Sequence, residues 1–268
     1  MDYLLQISSL IDTLVIVVVT FVTSLITFFS GFGLGSVLMP VLGITVPIHT
    51  AIGITGIVHL VVSLFKSAIL FKDINWKTTI QFGIPAASLA VGGAYLLRFI
   101  VEIPNLPTYD IYGITANPSV LKIVVGNFLL GIVLYDIIPS LKKRKYGKKY
   151  LFLGGAIAGF FGGLTGLQGA MRSAFLMGTE LEPEEYIATS ASCSTIIDIA
   201  RVAVYIPTML IASWNSVHTS ITVVAAVVAV VGTIVGFSFL KFVTIKTIRI
   251  IVVSMIVVLA ISTILGIL

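Results

Sequence analysis

The sequence predicts an all-α polytopic membrane protein: about eight transmembrane helices, forming two four-helix repeats in the same orientation, each with a glycine-broken first helix. Three observations carry this prediction. Hydrophobic residues are 58% of the 268 and charged residues only 10%, with a mean hydropathy of +1.15, whereas a soluble domain carries about 25% charged residues. Eight apolar windows reach or approach the ~20 residues that a crossing helix needs. Finally, the stretch Ser30-Gly31-Phe32-Gly33-Leu34-Gly35-Ser36 has an echo from Gly162 to Ser173, and each cluster interrupts an otherwise apolar run.

The windows fall at Leu10 to Phe29, Thr50 to Phe71, Thr78 to Ile100, Ser119 to Ile138, Leu151 to Leu164 extended past the glycines, Tyr186 to Met209, Ser216 to Phe242 and Ile245 to Leu268. Met1-Asp2-Tyr3 has no basic n-region and no small-x-small site follows, so the first segment is expected to be retained. Each glycine in a helix interior costs up to about 1 kcal/mol, so the clusters read as breaks. Broken backbone is tolerated at membrane depth only where protein or water covers it, and paired breaks in two halves mark a transporter's binding site. Val37 to Ile44 and Ala170 to Met177 are too short to cross, at about 12 Å each. They read as half-helices that either continue a broken crossing or dip back from it.

Lys142-Lys143-Arg144-Lys145-Tyr146-Gly147-Lys148-Lys149 places six cations in eight residues, and such blocks stay cytoplasmic. This loop divides the chain into a first repeat (1–141), a basic cytoplasmic loop (142–149) and a second repeat (150–268). It is also the surface expected to meet anionic lipid headgroups. Counting crossings outward puts both termini and the Lys72/Lys77 loop inside, with Glu102, Asp110, Glu180, Glu182, Glu184 and Glu185 outside. Lys241, Lys246 and Arg249 disagree by falling outside. The expected location is the cell (inner) membrane, multi-pass. No aromatic interleaving of the cations points to nucleic acid. The lone Cys193 can form no internal disulfide, and no pattern calls for a metal or cofactor.

The repeat is legible in residues. Aligning Gly33-Leu34-Gly35-Ser36 with Gly166-Leu167-Gln168-Gly169 matches Ala51-Ile52-Gly53-Ile54-Thr55 to Ala188-Thr189-Ser190-Ala191-Ser192 and Tyr95-Leu96-Leu97-Arg98-Phe99 to Ser238-Phe239-Leu240-Lys241-Phe242. Four segments per half return the chain to its starting side, so the halves are expected to share one orientation about an axis along the membrane normal.

With these residues the chain resembles the sulfite exporter TauE/SafE family, whose repeats carry a G-x-G-G-G-x-x-x-x-P-like motif after the first helix of each half. The first copy reads Gly33-Leu34-Gly35-Ser36-Val37-Leu38-Met39-Pro40, with serine for the third glycine. The second, Gly166-Leu167-Gln168-Gly169-Ala170-Met171-Arg172-Ser173, loses the proline and gains Gln168 and Arg172. The resemblance covers nearly the whole chain. It implies export or exchange of a small sulfur-containing anion such as sulfite or an organosulfonate.

Moving an anion across a bilayer takes partial positive charge at mid-depth without a trap, and helix N-termini supply about half a charge each. Half-helices starting at Val37 and Ala170 would aim two such ends at one site, with Ser36 as N-cap or hydroxyl donor. The bland reading is that Gly31, Gly33, Gly35, Gly163, Gly166 and Gly169 only permit close helix packing. Ionisable groups inside the windows are Lys66, Arg172, Asp198 and Arg201, each costly enough to suggest a function. Arg172 lies in the second glycine stretch, and its donor fork suits an oxyanion. Asp198 and Arg201, three apart on one face, read equally as a gate or as a neutralising pair. Lys66 is expected to snorkel to the inner interface. His49 and His59 are candidates for carrying protons, against the commoner reading of packed histidines. Thr55, Ser190 and Ser192, with Thr189, Ser194 and Thr195, either line a polar cavity or bond back to their own helices. Trp76 and Trp214 read as interface anchors.

A membrane protease would need a rhomboid-like G-x-S-G turn, a pair of membrane aspartates or an H-E-x-x-H motif. None is present, and Asp136 and Asp198 lack the flanking motifs, so no enzyme is expected. The sequence reading is therefore an alternating-access carrier, with a passive anion channel or a carrier of a small carboxylate as alternatives.

Overall fold

The computed structural model describes residues 13–25, 34–111, 113–138, 146–210, 216–238 and 245–268. Within them the chain forms α1 (Thr13–Leu25), α2 (Leu34–Leu42), α3 (Ile48–Ile69), α4 (Trp76–Val101), β1 (Tyr109–Ile111), β2 (Ile114–Ala116), α5 (Val120–Ile137), α6 (Leu151–Thr165), α7 (Gly169–Leu176), α8 (Pro183–Tyr205), α9 (Ser216–Ser238) and α10 (Ile245–Ile264). Four helices are long and apolar enough to cross a membrane: Ile48–Ile69, Trp76–Val101, Pro183–Thr208 and Val217–Phe237. Their outward sides are apolar as well. Val18 and Val22 on α1, Ile80 and Ile84 on α4, and Val223, Val227 and Val231 on α9 are all exposed, which is what a chain solvated by lipid requires. The molecule is a multi-pass membrane protein. Its helical fold has one addition that the sequence did not suggest, the hairpin β1–β2, paired Tyr109↔Ala116, Asp110↔Thr115 and Ile111↔Ile114.

Local chemistry sets the helix ends. Asn75 caps α4 by accepting from the Thr78 N–H at 2.9 Å, and Ser119 caps α5 by accepting from Lys122 at 3.2 Å. Pro183 opens α8, where it sacrifices no internal hydrogen bond. Gly166 ends α6 at φ +79°, a left-handed conformation that a side chain would strain.

Two contacts between helices are built on missing side chains. A Cβ at Gly155, Gly159 or Gly163 would overlap the carbonyl oxygens of Phe82, Ala86 and Ala90 in turn. Both series climb in steps of four, so α4 and α6 run in the same direction with their backbones touching. In the same way Gly232 lies on Phe21 and Gly236 on Leu25, so α9 runs parallel to α1. Each half thus lays a helix along the opening helix of the other half.

Three expectations are corrected here. First, α6 and α7 do not form a crossing. Phe175 packs on Gly154, the Tyr146 and Phe175 rings stand 4.6 Å apart, and Gly178 abuts the backbone of Tyr146. The chain therefore dips in along α6, about 22 Å at 1.5 Å per residue, and returns along α7 to the face that it left. Of the two readings left open for the short helix, dipping back is the one found. Consequently the acidic turn with Glu180, Glu182, Glu184 and Glu185 lies on the same face as Lys148 and Lys149, the described cations of the basic loop, not opposite to them.

Second, the halves do not share an orientation. Gly56 lies against Val202 and Tyr205, His59 pairs with Asp198, Ser67 with Thr195, and Asn75 with Thr189 and Glu185. As numbers rise along α3 they fall along α8, so these matching helices are antiparallel. So are α5 and α10, where Gly126 meets Ala260 and Asn117 donates to Gly266 at 2.8 Å.

Third, the carboxy-terminal end sits beside the β-hairpin, where Tyr109 donates to the Leu265 carbonyl at 2.8 Å, at the far end of α4 from Asn75, Lys148 and Lys149. It does not share the face of those two lysines.

Candidate functional site

The returning hairpin of the second half delivers two polar side chains to the interior. After Gly166 turns the backbone, Gln168 stands just before α7 and Arg172 one turn into it, both buried. The Gly163 carbonyl of α6 loses its helical donor at the break, since Leu167 N–H turns to the Thr165 hydroxyl at 3.3 Å, and α8 supplies a replacement: Tyr205 donates to it at 2.5 Å. Arg201 Nη1 adds a contact of 3.4 Å to the Gly162 carbonyl, which still accepts from Gly166 N–H at 3.0 Å. The hairpin tip is thus held by α8 side chains one turn apart.

Asp198 is the hub of the polar interior. Its Oδ1 accepts from Gln168 Nε2 at 2.6 Å and from Arg201 Nε at 2.8 Å, with Arg201 Nη2 2.7 Å away. Its Oδ2 lies 2.7 Å from His59 Nδ1 and accepts from the Ser63 hydroxyl at 3.3 Å. Asp198 and Arg201 are both 0% exposed. One carboxylate therefore ties α3, the hairpin tip and α8 together, and the pairing foreseen for Asp198 and Arg201 is one edge of a larger network.

Arg172 points at hydroxyls. Nε donates to Ser190 at 2.9 Å and Nη1 to Ser194; those serines lie four apart and so on one face of α8. Ser192 is buried but about 200° round the helix from them at 100° per residue, so it is not brought to Arg172. Lys66 is 8% exposed and close enough to Arg172 for the two cations to act on each other. It has not snorkelled to the interface as expected; its ammonium belongs to the same buried cluster.

The two break regions meet. A Cβ at Gly35 would stand 3.2 Å from the Gly166 carbonyl oxygen and 3.9 Å from Thr55 Cγ2, while one at Gly166 would stand 3.2 Å from Arg201 Nη1. The Thr55 hydroxyl and Gln168 Oε1, both buried here, have no hydrogen-bond partner among the described residues. Helix starts differ from expectation: α2 begins at Leu34 and α7 at Gly169, so Ser36 is the third residue inside a fully buried α2 and not its cap. Gly33, Gly31 and Trp214 lie outside the described residues, as do Lys142 to Lys145 and Lys241. His49 sits at the start of α3 beside His218, far along the helix from Asp198. Trp76 is exposed at the start of α4, its ring 5.5 Å from Phe71, as befits an anchor.

The structure thus gathers Gly35, Thr55, Gly166, Gln168, Gly169, Arg172, Ser190, Asp198, Arg201, His59 and Lys66 around one junction. It adds Ser63 and Tyr205 to the site residues picked out in the sequence, and brings Ser194, one of the hydroxyl candidates, to Arg172. Ser63 and Tyr205 each stand four residues after a singled-out side chain, His59 and Arg201, and that spacing is the signal that could have found them. No curated protein and no solved structure matches the chain significantly. The family model described as sulfite exporter TauE/SafE matches residues 16–263, and the chain belongs to that family.

Proposed function

We propose that the chain carries a small sulfur-containing anion, such as sulfite or an organosulfonate, by alternating access. The anion is bound at the junction of the two breaks beside Arg172, between the repeats 1–141 and 150–268. The observation that carries this reading is Arg172 itself. A guanidinium buried among serine hydroxyls, with Lys66 beside it, offers charged and hydroxyl donors together, the chemistry that recognises a tetrahedral or pyramidal oxyanion. The unpartnered Thr55 hydroxyl and the approach of Gly35 to Gly166 support a shared site for both halves.

In a bilayer this arrangement amounts to six crossings and two hairpins in inverted repeats. The described helices support the first hairpin as well. His218 opens α9 beside His49 at the opening of α3, so α9 and α3 run together, and α1 runs with α9. The chain between Leu25 and Ile48 then returns to the face where α1 began. This topology puts Lys72, Lys77, the basic loop and Lys241, Lys246 and Arg249 on one side, cytoplasmic by the excess of cations. The one discordant loop of the sequence reading is thereby resolved, and both termini move outside. Inverted repeats meeting at mid-depth give a carrier two related conformations that open to opposite sides.

The test is flux in proteoliposomes with a panel of sulfite, thiosulfate, sulfate, methanesulfonate and acetate. Saturable uptake accelerated by the same anion on the far side supports the carrier. Single-channel currents would replace it with a pore, and preference for acetate would replace the sulfur anion with a carboxylate.

A further inference from the structure

The proposed anion site does not use the contact between His59 and Asp198, a polar contact that joins the two halves directly across antiparallel helices. His59 comes from α3 of the first repeat and Asp198 from α8 of the second, 2.7 Å apart, with Ser63 bridging both at 3.3 Å. The groups acting on the imidazole are Asp198 and Arg201 from α8 and Arg172 from α7. Neither α2 nor the described residues of α1 carry an ionisable side chain, and the one on α9, His218, faces His49 at the other end of α3. Asp198 is already shared with Gln168 and Arg201.

From this geometry we infer that the His59–Asp198 pair binds a proton that travels with the anion, so that the carrier moves the two in the same direction. The inference rests on the carrier reading above. The argument is one of charge. Among the described residues the charged groups that act on the imidazole are Asp198, Arg201 and Arg172. An anion held beside Arg172 adds negative charge next to the imidazole and so favours one more proton on it. By reciprocity a proton on the pair strengthens anion binding by the same factor. The proton comes from water on the loading side, forms an N–H bond on His59, and is returned to water when the site opens opposite. Because the pair spans the moving boundary, the halves cannot shift without disturbing it.

The experiment uses the full chain in liposomes loaded with a lumenal pH dye, and three probes that stay ionised over the pH range: methanesulfonate, sulfate and thiosulfate. Entry of any of them into wild-type vesicles should acidify the lumen, and an acidic outside should speed net entry several-fold while leaving exchange of the same anion at equal pH little changed. In His59→Gln, whatever anion movement remains should carry no proton and lose its dependence on the pH difference. Anion entry without a lumenal pH change, lumenal alkalinisation, or proton movement retained in the variant would each overturn the proposal while leaving the carrier intact. Failure of wild-type protein to move any of the three would overturn the carrier and the coupling together. The wild-type dye measurement decides the matter even if the variant does not fold.

Discussion

Gly35, in the first turn of α2, lies so close to Gly166 at the turn before α7 that a Cβ on the first would stand 3.2 Å from the carbonyl oxygen of the second. Residues 131 positions apart thereby bring the two glycine breaks into contact. The distance is tight for a methyl group and impossible for anything larger without movement. Gly35→Ala should lower anion flux a few-fold, and Gly35→Leu should abolish it, because overpacking of about 1–3 kcal/mol would be relieved by parting the two breaks. Flux normalised to the monodisperse protein recovered by size exclusion checks this.

Arg172 offers a fork of donors to hydroxyls that an anion can displace. Arg172→Gln should reduce flux by about 100-fold, the loss expected for a charge-assisted bond of roughly 1.5–3 kcal/mol. Arg172→Lys should restore only part, since a point charge cannot bind two oxygens at once. The same series should lose the rise in melting temperature that the transported anion gives wild-type protein. A wild-type response in Arg172→Gln would remove this residue from the mechanism.

The row Gly155, Gly159 and Gly163 has a purely structural prediction. Gly159→Leu would drive a side chain into the Ala86 backbone and should lower the melting temperature in detergent sharply, corresponding to at least about 3 kcal/mol. Gly131, with nothing within 4 Å of its would-be Cβ, is the control. Gly131→Ala should be neutral or stabilising by up to about 1 kcal/mol, since alanine is the better helix former.

Sidedness is testable with single cysteines, because the native Cys193 is buried. Lys148→Cys and Glu184→Cys should react with a membrane-impermeant maleimide from one side, and Ile267→Cys from the other. Labelling of Lys148→Cys and Glu184→Cys from opposite sides, with Ile267→Cys on the side of Lys148→Cys, would reject the inverted arrangement and restore eight crossings.

Composition and hydropathy alone determined that this chain lives in a bilayer, because the cost of exposing or burying each side chain is local. The glycine clusters located the breaks for a similarly local reason: glycine weakens a helix wherever it stands. Arg172, Asp198, Arg201, His59 and Lys66 were legible too, since an ionisable group in an apolar run is costly whatever surrounds it. The direction of the chain after each break was not legible. A helix interrupted at Gly166 continues or turns back according to what its second arm can pack against. That was decided by Phe175 on Gly154 and Gly178 on Tyr146, contacts between residues more than 20 apart. Whether Asp198 served Arg201 alone or four donors, and whether Lys66 reached lipid or Arg172, depended likewise on which helices became neighbours. Tertiary packing settled these points because hydrogen bonds and ion pairs act over a few ångströms, and only the folded chain decides which residues come that close.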